Sequence, residues 1–225
     1  MADRVNHYEA CDKAIKVLNR DLVELFGQMK LANWDKVNII RTVSDTYRKS
    51  ANLARRKYYE VSYESYLLAL YGIGIDQKTA RKMADRVITP EWVDEQLNKT
   101  DFVTLYRFFS ETERKAYKLA ETLEVSSNKS REIDKAMRYW SQQLGQYAIN
   151  FTDYATIQAF EDAGVEMVEW MSEHDDKVCD ECYALNGQLF PVKEIPRKPH
   201  WGCRCFWRAV FRDGTPYKVE AKATT

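Results

Sequence analysis

Residues 179–205, "CDECYALNGQLFPVKEIPRKPHWGCRC", hold four of the chain's five cysteines and one of its three histidines. The spacing is Cys-x2-Cys, then 17 residues, then His-x2-Cys-x-Cys. Two thiolates three residues apart can face one metal, and a second pair from a neighbouring segment completes a tetrahedron around Zn²⁺. The loop between the pairs has the length common in structural zinc sites. Whatever this segment folds into must therefore bring its two ends together. Five donors, Cys179, Cys182, His200, Cys203 and Cys205, compete for four positions. The sequence leaves open which of the last three is surplus. The spare one is placed to hydrogen-bond a ligand from outside the site.

The rest of the chain carries a different texture. With 225 residues, 45% of them apolar and only 8 Gly and 5 Pro, it favours long regular elements around a sizeable core. Tyr8, Cys11, Ile15, Leu18, Leu22, Leu25 and Met29 recur at spacings of three and four, one apolar stripe on a first helix. Cys11 belongs to that stripe and reads as a buried apolar-like thiol. "LANWDK" interrupts the pattern, with Asn33 or Asp35 as a cap. A long second helix runs from Trp34 into Tyr71, rich in tyrosine at its end and stopped by Gly72 and Gly74. Its arginine cluster, "NLARRKYYE", reads first as a solvated face. Asp76 caps the next helix, and Thr89-Pro90 opens another. "VSSNKS" is a linker. "REIDKAMRYWSQQLGQYAIN" and "TDYATIQAFEDAG" read as two helices, the second capped by Thr152 or Asp153 and stopped by Gly164.

After Gly164 the pattern turns to strands. "VEMVEWM" and "CRCFWRAVF" alternate, and Asn186-Gly187 between apolar residues is a hairpin signal. The expected fold is mainly α: a helical body over 1–125, connecting helices over 126–164, a small α+β Cys/His hairpin module of zinc-binding type over 165–215, and a tail over 216–225. Residues 153–181 contain ten acidic side chains against one Lys, and residues 191–225 eight basic against three acidic. Acidic and basic strands would pair with each other inside the module, in competition with a basic tail that meets DNA.

Three short strands bury too little apolar area to stand alone. Zinc would pin them, its binding energy becoming folding energy. Trp170, Trp201, Phe206 and Trp207 would supply the small core beside it. A catalytic metal needs an open position and a nearby acid, for which Glu173 and Asp175 are the candidates. The zero formal net charge advertises no broad nucleic-acid surface. No apolar leader or membrane-length apolar run is present, so a reducing cytosol is the expected site of synthesis.

Between Tyr147 and Arg212 the chain resembles the phage Mu F-like head morphogenesis family. The resemblance rests on "NFTDYATIQAFEDAGVEMVEWMSEHDDKVCDECYALNGQLF" and "KPHWGCRC". Within them Trp170, Asp175, Cys179, Cys182, Gly187, Pro199, His200, Cys203, Arg204 and Cys205 match in order. The chain has Phe151-Thr152-Asp153 where Arg-Thr-Glu is usual in the family, and Trp201 where Pro or another residue is more usual. The resemblance implies a non-enzymatic minor head protein, present in several copies per virion on the capsid interior near the portal. It implies action in head assembly and in DNA packaging or delivery, with portal or major capsid protein as partner, phage DNA as a further one, and no membrane. The tyrosine-rich stretch 58–71 is the candidate contact surface. The rival readings are a metal-dependent hydrolase or nuclease, and a zinc-ribbon adaptor.

Overall fold

The computed structural model describes residues 7–32, 34–99, 108–172 and 178–217. The helices are α1 Glu9–Lys30, α2 Lys36–Gly72, α3 Gln77–Val87, α4 Pro90–Asn98, α5 Phe108–Val125, α6 Lys129–Asp162 and α7 Asp180–Leu185. The strands are β1 Met167–Met171, β2 Leu189–Pro191 and β3 Phe206–Val210. The protein is thus mainly helical with one small antiparallel sheet. Contacts divide it into two compact units, one built from 1–11, 60–89 and 149–225, the other from 12–59 and 90–148.

The second unit is all helical. Of the expected stripe of α1, Leu18, Leu22 and Met29 are fully buried while Ile15 and Leu25 are half-buried, and Phe26, outside the expected stripe, is fully buried beside them. Trp140 is fully buried; its indole N–H donates to Ser50 Oγ at 2.8 Å, and its ring stacks on Phe108 at 5.9 Å. Tyr58 donates to the Leu144 carbonyl at 2.9 Å. Arg55, from the cluster read as solvated, forms a two-pronged pair with Asp94. Asn128, inside the predicted linker, accepts from Arg131 N at 3.1 Å and opens α6.

The first unit carries the sheet, in the order β2-β1-β3. Two helices enter it and stop on glycines in the left-handed region, Gly74 (φ 89°) and Gly164 (φ 74°). At Gly164, Val165 N bonds the Phe160 carbonyl and Gly164 N the Glu161 carbonyl, a pairing only a residue tolerant of positive φ closes cheaply. Asp76 caps α3 by accepting from Lys78 N and Thr79 N, as its sequence position predicts. Glu169 pairs with Arg208 (2.5 Å) and Glu166 with Arg212, so the acidic and basic strands do meet as β1 and β3. Trp170 and Trp207 face each other across that pair, edge to face at 5.6 Å.

Five expectations change. The two helices read on either side of Asn150 are one, α6, and Asp153 lies inside it, buried, with no capping role. Asn186-Gly187 makes no hairpin turn: residues 180–185 are helical, and Asn186 is the C-cap of α7. Its side chain instead accepts from Ser172 N at 2.9 Å. Cys203 and Cys205 lie before β3, not along it. Trp201 is 45% exposed and stays out of the core that Trp170 and Trp207 form. In the stretch 58–71 Tyr58 and Tyr66 are fully buried, Tyr66 donating to Asp162, so these two take no part in the expected contact surface; Tyr59, Tyr63 and Tyr71 of the stretch are half-buried. Asn33 and the tail from 218 on lie outside the described residues.

Candidate metal centre

All five sequence-predicted donors converge. Cys179 is the N-cap of α7, and its sulfur accepts from Cys182 N at 3.4 Å. The Cys-x2-Cys pair therefore sits on the first turn of a helix, where the backbone itself aims both sulfurs one way. Cys179, Cys182 and His200 bring one donor atom each within 4.8 Å of one another, and so do Cys182, Cys203 and Cys205. Cys182 belongs to both sets. Its sulfur is 3.5 Å from His200 Nε2 and 3.5 Å from Cys203 Sγ. With metal–sulfur bonds of about 2.3 Å, a tetrahedral site has S···S edges of about 3.8 Å, close to this spacing.

The imidazole is oriented for the task. His200 Nδ1 lies 2.9 Å from the Trp201 carbonyl, which takes that nitrogen's proton and leaves Nε2 bare toward the thiols. Cys182, Cys203 and Cys205 are buried. Burial pushes the Cys182 thiol up to about 12, and the bond to Cys205 together with burial pushes Cys203 higher still. Thiols so placed are poor nucleophiles but become thiolates when a cation replaces the proton. The donor set fits a metal ion.

Beneath the two C-terminal cysteines lies a buried polar network that the sequence did not reveal. Lys198 Nζ donates to Tyr8 Oη (2.5 Å), to Asp153 Oδ2 (2.6 Å) and to the Cys203 carbonyl (3.3 Å). An ammonium has three protons, and each has an acceptor here. The Tyr8 hydroxyl is 2.9 Å from Asp153 Oδ1 and 3.1 Å from the Cys205 carbonyl, sharing one proton between them. The Arg204 guanidinium lies over the Tyr8 ring at 4.6 Å. Thus Tyr8 and Lys198 hold the backbone of both cysteines, and Asp153 holds Tyr8 and Lys198. Burial raises the Asp153 carboxyl above its ordinary range against the opposing pull of Lys198. It also raises Tyr8, with Asp153 adding to the rise. Next to them His7 is lowered to about 3 by burial and by Lys198 and Arg204, so its ring is neutral.

No local signal marks these residues. Asp153 follows Thr152 and imitates a cap, and Lys198 sits in "IPRKPH" among residues that read as a basic segment. Their side-chain partners are 45 to 190 residues away, beyond the reach of any spacing rule. Glu173 and Asp175, the acids a hydrolytic reading requires, lie outside the described residues.

Neither curated proteins nor solved structures give a significant match to the chain. A family model does: "Phage Mu protein F like protein" matches residues 77–208, from the start of α3 through the metal centre and into β3. That is more than half the chain, and it reaches well upstream of the residues whose motifs first suggested the family. The chain therefore belongs to the phage Mu protein F-like family and is a phage head-related protein.

Proposed function

We propose that the protein is a non-enzymatic minor head protein, bound at the portal or to the capsid interior, that acts in head morphogenesis and in DNA packaging or delivery. The observation that carries the reading is the family match ending on an intact Cys/His centre. The centre is a clasp. Cys179, Cys182 and His200 hold a structural Zn²⁺, and the Cys203–Cys205 pair supplies the fourth position. Bound there, zinc would add a rigid tetrahedral cross-link between α7 and the segment leading into β3, beside the small apolar core of Val168, Trp170, Trp207 and Phe160.

Portal or major capsid protein is the favoured direct contact over DNA. Of the eight basic residues after Phe190, Lys198, Arg208 and Arg212 are already paired with acids of this chain. Among the described residues no helix is long and apolar enough to cross a membrane.

Co-sedimentation with purified portal protein tests the assembly role: a stable complex at physiological salt is expected. Its absence at both low and physiological salt sinks the portal assignment. Metal analysis with X-ray absorption tests the clasp: one zinc per chain with three sulfurs and one nitrogen is expected. A folded, metal-free protein as isolated from cells overturns it.

A further inference from the structure

Three of the five donors, His200, Cys203 and Cys205, sit on an arm that belongs to no helix or strand, between Glu194 and the start of β3 at Phe206. Donors on such an arm lose conformational freedom when they gather on an ion, and that loss weakens binding unless the arm is already fixed. The backbone bond from Cys203 N to the His200 carbonyl is long, at 3.4 Å. Side chains grip the arm on its inner side. Lys198 Nζ donates to the Cys203 carbonyl at 3.3 Å, and Tyr8 Oη lies 3.1 Å from the Cys205 carbonyl. Both grips act on carbonyls, while the sulfurs of the same two residues lie within 4.8 Å of each other and of Cys182 Sγ. The arm thus turns its carbonyls to the polar network and its thiols to α7. One bond would leave the arm free to swivel; two, on alternate residues, fix its position and its rotation together.

The grip has its own support. Lys198 bonds Tyr8, both meet Asp153, and all three side chains are buried. At that depth a lost member leaves its partners with unsatisfied donors or acceptors. Tyr8 stands one residue before α1, far along the chain from the arm it holds. Neither Tyr8 nor Asp153 belongs to either donor set, so any effect they have on an ion passes through the arm.

We propose that Tyr8, Lys198 and Asp153 are positioning residues of the metal centre: they hold Cys203 and Cys205 ready for the ion, so that residue 8 helps to set metal affinity and bound metal in turn fastens the start of α1. The proposal rests on the clasp reading above and adds to it a coupling between the first helix and the cysteine arm. Such coupling is reciprocal: whatever factor the seated Tyr8 contributes to metal binding, metal contributes to the seating of Tyr8. Removing a residue that orients a metal ligand without touching the metal typically costs about 10–100-fold in affinity.

The test measures zinc affinity of the full-length protein by competition with a chromophoric chelator. Tyr8→Phe keeps the ring and removes the hydroxyl; it should weaken zinc binding by about 10-fold or more. Lys198→Met combined with Asp153→Leu replaces the buried ion pair with apolar side chains, which recovers stability without restoring the bond to the Cys203 carbonyl. This double variant should regain much of the urea resistance that Lys198→Met alone loses, yet still bind zinc about 10–100-fold more weakly than wild type. Tyr58→Phe is the control. It deletes a buried tyrosine hydroxyl that bonds the Leu144 carbonyl in the helical unit, and it should leave zinc affinity unchanged. Amide exchange reads the reverse direction: Lys13 and Ala14, in α1, should exchange more slowly with zinc than without it, and Tyr8→Phe should shrink that difference. The proposal is overturned if Tyr8→Phe or the double variant binds zinc as tightly as wild type. It is overturned too if Tyr58→Phe weakens zinc as much as Tyr8→Phe, since the effect would then be one of general stability, or if wild-type exchange at Lys13 and Ala14 ignores zinc. A wild-type protein that binds no zinc removes the clasp itself, and this proposal with it.

Discussion

Lys198 has three protons and three buried acceptors, and one of them, Asp153, is a carboxylate. Removing one member of such a pair strands the other's charge, whereas removing both leaves only packing to repair. Lys198→Met should therefore destabilise the protein by about 3–5 kcal/mol, and adding Asp153→Leu should recover a large part of that. Urea unfolding followed by tryptophan fluorescence reads both; a double variant as unstable as the single would contradict the pairing argument. His7 gives a pH signature. Its folded pKa, about 3, lies below the ordinary 6.5, with Lys198, Arg204 and, at 4.0 Å, Asp153 around it. A depressed cationic pKa means that the unfolded chain binds the proton first. The stability this residue gives is complete above pH 6.5 and drains away as pH falls toward 3, at up to about 1.4 kcal/mol per pH unit. His7→Phe should remove about 2 kcal/mol from the loss between pH 7 and pH 5. An unchanged loss would show that His7 is not the group titrating. At this scale the sequence disclosed the donors and hid their support. Cysteines at fixed spacing announce a shared ligand, but a lysine and an aspartate 45 residues apart carry no mark of their pairing.

Helix signals were legible wherever the deciding interaction was local. The stripe of α1, the Asp76 cap and the glycine stops at Gly74 and Gly164 are contests between a residue and its own neighbours, and each appears where the spacing puts it. Thr152-Asp153 was misread for the opposite reason. Its local chemistry favours a cap, but a partner from Pro-flanked sequence far downstream holds the aspartate inside a continuous helix. Asn186-Gly187 failed likewise: the six residues before it are helical because Cys179 caps them, so the pair ends a helix and turns no hairpin. The unbroken course of α6 has a measurable corollary. Gly145 lies in mid-helix, and a methyl added there would meet nothing nearer than Ile15 Cδ1 at 3.8 Å, an ordinary contact. Gly145→Ala should stabilise the protein by about 0.5–1 kcal/mol, through a lower unfolded-state entropy and better helix propensity. A thermal melt lowered by the change would mean that the helix is interrupted there.

For the molecule as a whole, the metal centre and the helical unit should respond separately. Stripping zinc with a strong chelator is expected to abolish the near-ultraviolet signal of the Trp170–Trp207 pair while most far-ultraviolet helicity remains, because Trp140 and its neighbours belong to the other unit. Complete loss of helicity would mean that the two units unfold as one. Cys182 serves both donor sets, so Cys182→Ser should lose bound zinc entirely. Of Cys203→Ser and Cys205→Ser, one alone should keep a stoichiometric ion, and the survivor identifies the surplus thiol. The family and its cysteine framework were readable from the chain, whereas its division into units was not, since long-range contacts decide it. That division also governs how the protein is made. Tyr8 bonds Lys198 across 190 residues and the Cys205 carbonyl across 197. The unit built from 12–59 and 90–148 can close while synthesis continues, but the other completes the bonds of Tyr8 to Lys198 and to the Cys205 carbonyl only after residues 198–205 have been made. A translational pause before residue 198 should therefore lengthen the time that the cysteine-bearing unit spends exposed on the nascent chain.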